Sequence, residues 1–203
     1  VILKKDKYKR NLELLEKMIE IEPNCPRWSY MYLQDGFEIL DTNTLESVIK
    51  SAIFIDRNGS IVESNIKKNS YTFGSLVYLC KIKIKKKEFT DVIRTAEIMN
   101  CIVSNNSDSF FFTVLAKYLI LKNKLEELLF ETLNYRKNNF DIQDGMINTN
   151  GYHIDCLISI LLFEIGDYKR AKKYFDFLKE KLNGTTMEDI LNLLKENFAR
   201  EYE

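Results

Sequence analysis

The chain is poor in the residues from which most catalytic and metal centres are built. It has one histidine, His153, and four widely spaced cysteines (Cys25, Cys80, Cys101 and Cys156), with no Cys-x-x-Cys pair. That excludes a zinc-finger spacing and argues against a disulfide framework, and it fits buried, reduced thiols in a cytoplasmic protein. Any Ser/His/Asp or Cys/His engine would have to be built on His153. Cys156 follows it by three residues, which allows contact on a helix, but no third group orients the pair. No Asp-x-Asp and no glycine-rich phosphate loop occurs. The sequence therefore assigns no catalytic residue and no metal ligand, and implies no cofactor.

Other scarcities bound the fold. Two prolines, both near the N-terminus, and seven glycines among 203 residues argue against a β-rich chain. Thirty basic and thirty acidic residues cancel, so no global field recruits nucleic acid or an anionic membrane. The longest apolar run, Cys156–Phe163, is far short of a membrane span, and no signal peptide is visible. The chain begins at Val1 without methionine and reads as a piece of a longer protein.

What the sequence has in abundance is helical periodicity. The stretch Leu157–Leu178 reads as two helices joined by a tight turn at Gly166-Asp167. Taking Tyr168 as the opener of the second helix, equivalents occur at Leu125, Phe89, Leu45 and Tyr8, at steps of 43, 36, 44 and 37 residues. Spacings of this size mark arrays of helical hairpins. Offsets of 3, 7 and 10 from the openers give mostly apolar columns and trace one helical stripe, broken at Asn11. Nine residues before four openers stand Gly36, Cys80, Ala116 and Ser159, all small enough to let a partner helix approach closely. In the tetratricopeptide pattern, which these columns resemble, Asp35, Lys83 and Asp155 fall at positions that usually hold large apolar residues.

These columns predict helices at about 6–21, 27–40, 44–56, 70–86, 88–103, 108–122 and 124–138, then the hairpin beginning near His153. Pro23–Pro26 is a rigid elbow, Thr42 or Thr44 caps the third helix, 58–68 is irregular and 138–151 is a long polar loop. A final amphipathic helix over 185–203 would cap the last apolar face. The expected architecture is all-α, one domain over 1–203, with about five hairpins in an α-solenoid.

The columns, most clearly Gly166–Ala171 (GDYKRA), resemble the tetratricopeptide pattern. In such arrays the positions of Lys81 and Lys117, of Tyr30 and His153, and of Lys85 and Glu164 face the concave groove, so the resemblance implies these six as groove residues. Lysines there would suit an acidic peptide or carboxylate. The run Lys81–Lys87, five lysines in seven, also reads as a solvated helix end and, without interleaved aromatics, as a poor nucleic-acid signal.

The first third carries a second likeness. Lys9–Glu16 (KRNLELLE), then Glu22-Pro23-Asn24, Pro26-Arg27 and Tyr32-Leu33, resembles the segment following the catalytic domain in bacterial family 2 (GT-A type) glycosyltransferases that end in tetratricopeptide repeats. The match covers about residues 7–35, with 1–27 as junction helix and elbow. It departs at Glu38–Asn43, where a Gly-Asp-Tyr hairpin is usual. The resemblance implies a non-catalytic repeat region for protein or acceptor binding, or for dimerisation, whose parent transfers a sugar from a nucleotide donor. Two other uses fit the hairpins: the peptide-binding array of a bacterial transcriptional regulator, and a general protein-binding scaffold.

Overall fold

In the computed structural model, residues 2–23, 25–53, 69–139 and 150–182 are described, with side chains from Lys7 onward. Every regular element among them is an α-helix: α1 Ile2–Ile21, α2 Pro26–Gly36, α3 Thr42–Ala52, α4 Ser70–Lys85, α5 Phe89–Ile102, α6 Ser107–Asn138, α7 Tyr152–Glu164 and α8 Tyr168–Leu182. No helix among the described residues is long and apolar enough to cross a membrane. The expected irregular stretch 58–68, the loop over 140–149 and the capping helix over 185–203 lie outside the described residues. The chain divides into two compact units, Val1–Leu119 and Ile120–Glu203.

In the first unit α2 packs on α1, α3 and α4, and α4 packs on α3 and α5. Pro26 opens α2, where its missing N–H costs nothing because the first-turn amides have no helical partner. α3 starts earlier than the threonines suggested. Asp41 is its cap, accepting hydrogen bonds from the Asn43 and Thr44 amides at 2.9 and 3.0 Å and from the Thr44 hydroxyl at 2.6 Å. A carboxylate here both accepts the orphan amides and complements the helix dipole, so it outcompetes the neighbouring hydroxyls. Asn69 caps α4 through the Thr72 amide. The core is aliphatic, with Leu33, Leu45, Ile49, Leu76 and Met99 fully buried.

The small residues of the column are all buried, Gly36 in the first unit and Cys80, Ala116 and Ser159 fully so. Two hairpins, α4–α5 and α7–α8, repeat one geometry. The Cys80 thiol lies 3.9 Å from the Val92 carbonyl, and the Ser159 hydroxyl donates to the Ala171 carbonyl at 3.0 Å, each twelve residues on. Their turns match bond for bond. Lys87 and Glu88 amides reach the Ile84 and Lys83 carbonyls, and Gly166 and Asp167 amides reach those of Phe163 and Leu162. That paired closure ends a helix through one left-handed residue, here Lys87 (φ 62°) and Gly166 (φ 86°).

The expected pair of helices at 108–122 and 124–138 is a single helix, α6, of 32 residues. Around Asn123 every residue from Leu119 to Leu129 is compatible with an uninterrupted helix, and neither glycine nor proline interrupts the run. Leu125 matches the opener column in type, but nothing before it adopts a left-handed closure.

In the second unit, Leu129, Ile158, Leu161, Leu162 and Ala171 form the core, with Cys156, Leu178 and Leu182 beside it. Three polar residues that broke the apolar columns each have a partner. Asp35 accepts from Asn11 at 3.2 Å, the residue that broke another column; Lys83 lies in an ion-pair cluster; and buried Asp155 holds Arg136 through two bonds at 3.0 and 2.8 Å.

Candidate functional site

One face of α4 carries Tyr71, Gly74, Tyr78, Lys81 and Lys85, spaced by three or four residues so that they align along the helix. Tyr30 and Phe37 of the α2 region lie across it. The Tyr30 ring sits 5.9 Å from that of Tyr71 and 6.1 Å from that of Tyr78, and Phe37 sits 5.2 Å from Tyr78. Gly74 makes this approach possible, since a Cβ there would fall 2.3 Å from Tyr30 Cε2. The rings remain half-buried to exposed. Burial, and then the nearby Tyr30 and Asp35, push the Tyr78 hydroxyl above its ordinary range.

Both lysines of the face rest on these rings. Lys85 Nζ stands 4.1 Å from the Phe37 centroid, and Lys81 Nζ stands 5.0 Å from Tyr78 and 5.6 Å from Phe37. Cation–π attraction of this kind contributes on the order of 0.5–1 kcal/mol at an exposed site. Neither ammonium has a carboxylate at ion-pair distance among the described residues.

The other side of the same helix end is different. Lys83 and Lys86 converge on Glu46 of α3, a buried carboxylate that Lys50 also approaches, and Lys83 further meets Glu88 and Asp91. Burial pushes the Glu46 carboxyl up, but hydrogen bonds from Lys86 and Lys83 outweigh it and hold the group at about 2. Burial also pulls the Lys83 ammonium down, and its bonds to Glu88 and Glu46 more than reverse that.

The structure thus brings three of the six expected groove residues, Tyr30, Lys81 and Lys85, to one face. Lys117 is exposed on α6. His153 and Glu164 lie on α7 in the second unit, His153 half-buried with its Nδ1 buried and without a hydrogen-bond partner among the described residues, Glu164 exposed. Burial, and then the charge of Asp155, push the Cys156 thiol up to about 11, which keeps it protonated and a poor nucleophile. Among the described residues no group of three or more His, Cys, Asp and Glu is arranged to hold a metal. The sequence reading missed Phe37, Tyr71 and Tyr78. The signal was present in the spacing of Tyr71, Gly74, Tyr78, Lys81 and Lys85, which supplies the aromatic interleaving that the lysine run alone lacks.

No protein-family model matches the chain. Over 174 residues, 83% of the chain, it is 23% identical to the SPbeta prophage-derived glycosyltransferase SunS of Bacillus subtilis (strain 168), and equally to the glycosyltransferase SunS of Bacillus phage SPbeta. The chain is distantly similar to a glycosyltransferase. The aligned stretch spans 38% of the length of either relative. The similarity reaches well beyond the 29 or so residues of the junction motif, to most of the helical chain.

Proposed function

We propose that the chain is the non-catalytic helical-repeat region of a bacterial sugar-transferring protein, and that it holds the protein or peptide that receives the sugar. The similarity to a glycosyltransferase over 83% of the chain but 38% of the relative carries this reading. A relative of that length has room for a donor-binding domain elsewhere. In this reading the hairpins stack as a tetratricopeptide-like array, which the shared closure of α4–α5 and α7–α8 supports. Its groove would then be furnished by the aromatic and lysine face of α2 and α4.

The division of labour gives a direct experiment. The coding sequence before Val1 is read, and the full polypeptide is compared with a version lacking this chain. A nucleotide-sugar-binding domain is expected upstream. The truncated protein is expected to retain hydrolysis of its nucleotide sugar while losing transfer to a protein acceptor. Absence of any such domain, or a truncated protein that still modifies its acceptor at the full rate, overturns the proposal.

A further inference from the structure

We infer that the face formed by Tyr30, Phe37, Tyr71, Tyr78, Lys81 and Lys85 binds an extended acidic segment of another polypeptide, one with an apolar side chain a few residues from its carboxylate. The inference deepens the acceptor-binding reading and rests on it only for who the partner is.

The argument starts from the way the C-terminal end of α4 sorts its lysines. Lys83 and Lys86 are neutralised by Glu46, with Glu88 and Asp91 adding to Lys83. Lys81 and Lys85, one turn apart on the opposite side, are held over ring faces and left without a carboxylate among the described residues. A ring positions an ammonium without cancelling its charge, because the quadrupole attraction is far weaker than an ion pair. Both amines bear on the Phe37 ring, which gathers two uncompensated positive charges at one end of the face.

The remainder of the face is apolar and built rather than incidental. Gly74 leaves room for the Tyr30 ring, and Tyr30 in turn spans Tyr71 and Tyr78. From the Tyr30 contact at Gly74 to the midpoint of the two lysines is nine residues of α4, roughly 13 Å at 1.5 Å per residue. An extended peptide advances roughly 3.3 Å per residue, which places its apolar side chain about four residues from its acidic one.

Charge decides between peptide and nucleic acid. Two unneutralised lysines, flanked by carboxylates and carried on a chain of zero net charge, neutralise one or two acidic groups and not a phosphate backbone, whose binding draws on a long basic track.

The test uses the full chain and a fluorescein-labelled glycine–serine peptide carrying one phenylalanine and an Asp-Asp pair about four residues apart. Anisotropy is expected to show saturable binding that weakens with salt and is lost when the pair becomes Asn-Asn or the phenylalanine becomes glycine. Lys81→Ala with Lys85→Ala is expected to weaken binding about tenfold, with unchanged helicity. Gly74→Ala is expected to weaken it through the apolar end, because the Tyr30 ring must leave its seat. Lys172→Ala, on the exposed surface of α8 in an ion pair with Asp176, is the control and is expected to change nothing. Peptide binding that ignores both the lysine pair and Gly74→Ala overturns this face and leaves the acceptor-binding reading intact. Failure of the acidic peptide to bind, or tighter binding of oligothymidylate than of the peptide, overturns the inference itself.

Discussion

At the scale of single residues, the polar groups that interrupt the apolar columns carry the informative chemistry. Asn11 and Asp35 break two different columns and bond to each other, while Asp155 and Arg136 pair within the second unit. A buried polar group left without a partner costs on the order of 1–3 kcal/mol, which these pairings avoid. One column shows only half of each pair, which is why Lys83 could be recognised as misplaced while its partner Glu46 could not. The consequence is measurable through pH. The Glu46 carboxyl is depressed from 4.5 to about 2. Its contribution to stability is therefore present above pH 4.5 and lost as pH falls through 2. The linkage amounts to on the order of 3 kcal/mol. Glu46→Gln is expected to be less stable by a similar amount near pH 6, with the two proteins converging toward pH 2. Urea midpoints at several pH values measure this; a gap that stays constant from pH 6 to 2 would show that the cluster contributes nothing by ionisation.

At the scale of elements, what could be read in advance was what a period can encode. The small column at Gly36, Cys80, Ala116 and Ser159 marked the buried layer, because only residues of that size permit close helix approach. The hairpin turns were legible where their closure was written in the sequence, as at Gly166. Lys87 adopts the same left-handed closure without glycine, and at Asn123 an equally plausible sequence continues straight through as α6. Neither opener type nor the left-handed preference of the residue before it separates these cases, since Lys87 closes a helix where Asn123, the more tolerant residue type, does not. The α4 half of the aromatic face was written in the spacing of Tyr71, Gly74, Tyr78, Lys81 and Lys85, but its other half, Tyr30 and Phe37, comes from the α2 region, and no periodicity within one helix reports that pairing. The turn comparison gives a prediction. A side-chain-bearing residue held left-handed costs on the order of 1 kcal/mol relative to glycine. Lys87→Gly is expected to raise stability by about 0.5–1 kcal/mol. Gly166→Ala is expected to lower it by about 1 kcal/mol although nothing lies within 4 Å of the added methyl. Thermal midpoints moving the opposite way for either variant would break the equivalence of the two turns.

At the scale of the whole molecule, the proposed acceptor-binding role is tested by asking whether the chain instead handles a nucleotide-sugar donor. A nucleotide sugar brings a diphosphate, and binding it takes a metal, a nest of backbone amides or several converging cations. The aromatic face offers rings on which a base could stack and two lysines, so it is the place where a donor would be expected to reveal itself. The geometry there favours a carboxylate. Lys81 and Lys85 approach a single ring at 5.6 and 4.1 Å, and two amines with no metal-holding group of side chains beside them among the described residues suit a carboxylate better than a diphosphate. Titration calorimetry of the full chain with UDP-glucose and magnesium is therefore expected to give no binding heat below millimolar concentration, and UDP is expected not to displace the labelled acidic peptide. Micromolar affinity for UDP-glucose that falls with Lys81→Ala and Lys85→Ala would assign this face to the donor and overturn the proposed acceptor-binding role.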